Sequence, residues 1–172
     1  NNNDFFGTDV ALSSYGSIVA AGARFNDDAG AYSGHVRVFE WDGYNWVQLG
    51  QTIPGLLPYD YDGQAIDLSA DGHTLIMASK YHDFGASNAG IARVFEWDGT
   101  NWIQKGVNLY GAAAGDFFGH SVSMSNDGNK IAIGANGADN NGSTSGSVFI
   151  YEWNGTAWIQ MGSTLNGAIG GQ

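Results

Sequence analysis

The feature that most constrains this chain is a fifteen-residue pattern that returns at a fixed interval. Residues 36–50 read VRVFEWDGYNWVQLG, residues 92–106 read ARVFEWDGTNWIQKG and residues 148–162 read VFIYEWNGTAWIQMG. Trp41, Trp97 and Trp153 are 56 residues apart, all six tryptophans fall inside the pattern, and all three glutamates (Glu40, Glu96, Glu152) occupy one position of it. Each copy reads as a β-hairpin. Val36, Val38 and Glu40 alternate with Arg37, Phe39 and Trp41, the period of a strand. Asp42-Gly43, Asp98-Gly99 and Asn154-Gly155 are Asx-Gly pairs suited to the positive φ of a tight connection. The two tryptophans flanking each turn can pair across the strands and fix the register.

The rest of each unit supplies two more strands. DVALS, AIDLS and SVSMS alternate and stop at turns closed by Gly16, Gly72 and Gly128. The nearly continuous apolar runs IVAAGA, TLIMAS and KIAIGA fit strands covered on both faces. A polar loop of roughly ten residues (24–34, 80–90, 136–146) then leads into the hairpin. Four antiparallel strands per repeat, small residues early and aromatics late, match the taper of a propeller blade. The expected fold is all-β, with β-propeller blades formed as three four-stranded antiparallel sheets from 56-residue repeats. The units span 4–59, 60–115 and 116–171.

Composition narrows the partners. A net charge of −11, from 17 acidic against 6 basic residues, repels phosphate backbones and anionic lipid surfaces, so neither nucleic acid nor membrane insertion is expected. Cysteine is absent, which excludes disulfides and thiolate zinc sites. No run of 18 apolar residues could span a bilayer.

Catalysis needs residues that break the repeat. His35, His73, His82 and His120 fall at four different repeat positions and are expected on the surface or in loops. No nucleophile elbow and no phosphate loop are present. The glutamates sit on separate units, too dispersed for a glycosidase pair, and are expected to face Arg37, Arg93 or solvent. No enzyme is expected.

Phe6-Gly7 with Val10 and Val19-Ala20-Ala21-Gly22-Ala23, and Phe118-Gly119 with Val122 and Ile131-Ala132-Ile133-Gly134-Ala135, resemble the two elements of FG-GAP repeats, the blades of integrin-α-type propellers. Unit two departs, with Asp62-Gly63 and Ala78-Ser79 in those places, and the signature proline is replaced by Arg24, Lys80 and Asn136. The resemblance implies an extracellular or cell-surface module for ligand binding or adhesion, with a protein or glycan ligand at one loop rim. The alternative is a structural or assembly module of a cell-surface appendage or filament. A third reading is a lectin-like propeller stacking sugars on Trp46, Trp102 and Trp158. The calcium loop of many such blades has no counterpart in the short turns here. No cofactor is expected, and calcium is left to the repeat-equivalent Asp27, Asp83 and Asp139, which more simply cap their loops. An extracellular address makes Asn141 and Asn154, each followed by Gly and then Ser or Thr, glycosylation candidates. Propellers have four to eight blades, so three are expected to join further blades from a longer chain or from other copies.

Overall fold

A computed structural model describes residues 4–83 and 85–168. Fifteen short strands make three antiparallel sheets, and no helix occurs among the described residues. In the first sheet β1 (Val10–Leu12), β2 (Ile18–Gly22), β3 (His35–Trp41) and β4 (Trp46–Gln48) lie side by side in chain order. The second repeats this with β6 (Ala65–Leu68), β7 (Thr74–Ser79), β8 (Ile91–Trp97) and β9 (Trp102–Gln104). The third uses β11 (Phe118–Met124), β12 (Lys130–Ala135), β13 (Ser147–Trp153) and β14 (Trp158–Gln160).

The fourth strand is in two pieces. The two-residue strands β5 (Ile53–Pro54), β10 (Leu109–Tyr110) and β15 (Leu165–Asn166) pair with β3, β8 and β13. Phe39 pairs with Gln48, whereas Val36 pairs with Ile53, so the outer strand bulges by two residues and then resumes. Each sheet is therefore four-stranded with an interrupted edge, a break the hairpin pattern did not announce.

The hairpin turns form as their sequences require. Asp42 Oδ1 accepts from the N–H of Tyr44 and Asn45 at 2.7 Å, Asp98 does the same for Thr100 and Asn101, and Asn154 for Thr156 and Ala157. The bonds from Asn45 and Tyr44 hold the Asp42 carboxyl below its usual pKa. Trp41 and Trp46 pair directly, as do Trp97 with Trp102 and Trp153 with Trp158, with ring centroids 5.4–5.6 Å apart.

Successive sheets pack face to face. Ile18, Ala20, Val36, Val38 and Ile53 of the first meet Leu68, Leu75, Met77, Phe95 and Trp102 of the second. Ile76, Ala78, Ala92 and Val94 of the second meet Phe118, Ile131, Ile133 and Trp158 of the third. Sandwiching explains β7, buried at all six positions, whereas β12 alternates because its far face has no sheet against it. Hydrogen bonds repeat across both seams. Ser14 N–H donates to Ala70 O and Ala70 N–H to Asn126 O, while Asp62 N–H donates to Ser33 O and Phe118 N–H to Ala89 O. Gly34 and Gly90 bridge to Asp62 and Phe118 there, and a Cβ at either would collide with that neighbour's backbone.

Candidate binding rim and buried polar seams

The tryptophans belong to the seams. Trp102 Nε1 donates to Leu49 O at 2.9 Å and Trp158 Nε1 to Lys105 O at 2.8 Å, each reaching the preceding sheet, and only 3% and 6% of the two residues is exposed. Gly50 and Gly106 make room for them: a Cβ at Gly106 would meet Trp153 and Trp158 within 3 Å. The expectation of sugar-stacking faces at Trp102 and Trp158 is corrected, since the ring faces are spent on packing between sheets. Trp46 has no preceding sheet here and lines an open apolar groove of about 450 Å³ with Phe6, Leu12, Val19, Ala21 and Phe39.

The loop aspartates act as caps. Asp27 Oδ1 accepts from Tyr32 N–H at 2.7 Å, Asp83 from Asn88 at 2.6 Å and Asp139 from Thr144 at 2.5 Å. Each donating residue is left-handed, with φ of 52°, 53° and 51°. The three loops thus differ in sequence yet share this cap and the left-handed residue it holds. One carboxylate facing a backbone N–H does not fit a calcium ion, which needs six to eight converging oxygens, and no cluster of three His, Cys, Asp or Glu occurs among the described residues.

Two histidines depart from expectation. His73 and His120 are exposed, but His35 and His82 are 6% and 2% exposed. His35 has no hydrogen-bond partner at either ring nitrogen, and burial followed by the nearby Arg37 charge pushes its pKa down. His82 Nδ1 lies 2.7 Å from Asp60 Oδ2. Ser79 donates to the Asp60 backbone carbonyl rather than to the imidazole, and all three residues are buried, so this serine, histidine and aspartate are a structural cluster and no nucleophilic triad. The glutamates face lysines: Glu96 lies 3.2 Å from Lys105 and Glu152 2.9 Å from Lys130, while Glu40 is exposed. Arg93 instead lies 3.4 Å from the fully buried Asp62, because residues 93 and 96 alternate to opposite faces of β8.

One rim carries an arrangement the sequence patterns left unremarked. Phe5, Phe25, Tyr61, Tyr81 and Phe117 form a continuous row, with successive centroids 4.9, 5.3, 5.4 and 6.2 Å apart, and Tyr32 and Tyr59 flank it. Phe25–Tyr61 and Tyr81–Phe117 are contacts between successive units. Of the seven non-glycine residues with positive φ among the described residues, five (Phe5, Tyr32, Tyr59, Tyr61, Phe117) are aromatics of this row or its flanks. A bulky left-handed residue is strained by about 1–3 kcal/mol and persists only where its surroundings hold it. Arg24 lies 4.6 Å over the Phe25 ring and Lys80 5.0 Å over the Tyr81 ring. The signal available in the sequence was the repeat itself: Phe5/Tyr61/Phe117, Phe25/Tyr81 and Arg24/Lys80 are equivalent positions.

Of the glycosylation candidates, Asn141 is exposed but its Nδ2 donates to Gly167 O at 2.9 Å. Asn154 is exposed with its oxygen committed to the hairpin turn.

Three stacked antiparallel sheets with ordered strands and repeated seams define β-propeller blades. Residues 110–151 match the FG-GAP repeat family, so the chain carries an FG-GAP repeat across the end of the second sheet and most of the third. No curated protein matches. Among solved structures, the chain is similar to the β-propeller domain of the Trilobed protease from Pyrococcus furiosus, described as having an open velcro topology (12% identity, TM-score 0.49, 90% of this chain and 43% of that one). It is also similar to a protein from Bacteroides uniformis described as a candidate 6-phosphogluconolactonase (13% identity, TM-score 0.44, 92% of this chain and 56% of that one). The chain thus spans about half the length of the structures it matches.

Proposed function

We propose that this propeller module is an extracellular, non-catalytic binding or adhesive unit that engages its ligand through the aromatic rim. The observation that carries the reading is the aromatic row from Phe5 to Phe117, which crosses both boundaries between units, stays partly exposed and stands at Phe5, Tyr61 and Phe117 on left-handed backbone. The loops 24–34 and 80–90 supply Phe25, Tyr32 and Tyr81 to this rim, and unit three, with Gly137 at the position of Phe25 and Tyr81, ends it. A glycan array and a pull-down with the 172-residue chain test the reading. Ligand is retained by the parent and lost in Tyr81→Ala with unchanged circular dichroism; equal retention by parent and variant contradicts it. The extracellular location carries its own test, since modification of Asn141 or Asn154 is read by mass spectrometry of native material.

A second reading has its own observation. The open groove at Phe6, Leu12, Val19, Ala21, Phe39 and Trp46 is the surface that sheets two and three bury through Leu68, Leu75, Met77, Phe95 and Trp102 and their third-unit equivalents. At the other end Val148, Met161 and Leu165, equivalents of the buried Val36, the half-buried Leu49 and the buried Ile53, are exposed. We propose that these two faces join further blades, from the same chain or from other copies.

A further inference from the structure

The rim groove carries a charge signature as well as rings, and a ligand class assigned from that signature rests on the proposed rim-binding function. Arg24, Phe25, Tyr61 and Tyr81 line a groove of about 410 Å³ between the first two units. The chain has six cations against a net charge of −11, and half of them are paired with acids. Arg93, Lys105 and Lys130 each lie within 4 Å of a carboxylate. Among the described residues Arg24, Arg37 and Lys80 have none: Arg37 lies over Phe6, a ring of the first sheet's open groove, whereas Arg24 stacks on Phe25 with its buried Nε unbonded, and Lys80 stacks on Tyr81 with Nζ 3.3 Å from His120 Nδ1. Burial and the Lys80 charge hold His120 below its ordinary pKa, which leaves a neutral ring nitrogen beside the ammonium. Both cations replace what the repeat signature has as proline, and both lie over the aromatic residue that comes next in the chain.

We infer that this rim binds a saccharide bearing carboxylate groups, with Phe25, Tyr61 and Tyr81 stacking on its rings and Arg24 and Lys80 each meeting one acid. Sugar rings present C–H faces to aromatic side chains and hydroxyls to water, which suits a half-exposed row. An isolated guanidinium or ammonium over a ring is poised to accept an anion by a charge-assisted bond. The two cation-on-ring steps, one per unit, each offer a site for one carboxylate. A nucleic acid does not fit, because the surrounding acidic surface repels its phosphate backbone. Proteins recognised through an acidic peptide would satisfy the cations but leave the ring faces without flat partners.

The test is calorimetric titration of the 172-residue chain with digalacturonate and, separately, with its dimethyl ester, which keeps the rings and removes both charges. The expected result is binding of the acid about tenfold tighter than of the ester, a preference removed in Arg24→Gln and Lys80→Gln and weakened as salt rises. Tyr81→Ala lowers affinity for both compounds. Equal binding of acid and ester overturns the carboxylate assignment while leaving the aromatic rim as a binding surface. No binding of either compound overturns the inference, and the separate array experiment then decides the broader reading.

Discussion

Asp62 and Arg93 face each other across the second sheet, 3.4 Å apart and almost wholly buried. The same two repeat positions hold Phe6 and Arg37 in the first unit, with the guanidinium 4.2 Å over the ring, and Phe118 and Phe149 in the third, at 5.4 Å in an edge-to-face pair. One contact is thus made by three chemistries: a cation over a ring, an ion pair, and two rings. The ion pair is the least secure of the three, because burial pushes the Asp62 pKa up even with Arg93 opposing it.

Removing one partner strands the other's charge. Asp62→Ala is expected to destabilise by about 3–5 kcal/mol, whereas Asp62→Phe with Arg93→Phe, copying the third unit, is expected to be neutral or up to about 4 kcal/mol more stable. Urea midpoints of the two single variants and the double variant check this. A double variant weaker than either single one would contradict the equivalence.

Position in the seam, not residue type, sets what a tryptophan contributes. Trp102→Ala removes a side chain packed on the first sheet and its bond to Leu49 O, with an expected cost of about 3–5 kcal/mol. Trp46→Ala, at 46% exposed, is expected to cost no more than about half that. Equal losses in denaturant titrations would mean the first sheet's open face is covered.

His35 should make stability fall in mild acid. Its folded pKa lies below 6.5, so the unfolded state binds more protons in the window between that lowered value and 6.5. Stability from this group is complete above about pH 6.5 and declines as the pH drops through the window. His35→Ile copies Ile91, which is fully buried at the equivalent position. The variant is expected to gain about 1–2 kcal/mol at pH 7, by removing two unbonded ring nitrogens, and to flatten the slope between pH 7 and 5. Thermal melts across that range measure both effects.

The units, the hairpins and their strand order were legible because period two, Asx-Gly turns and a 56-residue repeat are local signals. The cap role of Asp27, Asp83 and Asp139 was legible for the same reason. The broken fourth strand was not, since a bulge leaves no mark in residues such as Gly50 and Gln51 that also suit a turn. The burial of His35 and His82 was invisible because each replaces a different residue type in its sister units, Ile91 and Ser147 for one, Asn26 and Ala138 for the other. The rim was missed because half of its contacts run between units, and only the stacking of sheets brings Phe25 to Tyr61 and Tyr81 to Phe117.

The central claim is that these sheets are blades, each built to be covered on both faces. Sedimentation of the 172-residue chain over a range of concentrations tests it most directly. The account predicts concentration-dependent association beyond the 18.2 kDa monomer, reduced by Leu12→Asp on the open first face, where Leu12 is 60% exposed. A compact monomer of 18.2 kDa at every concentration, unfolding cooperatively, would contradict it.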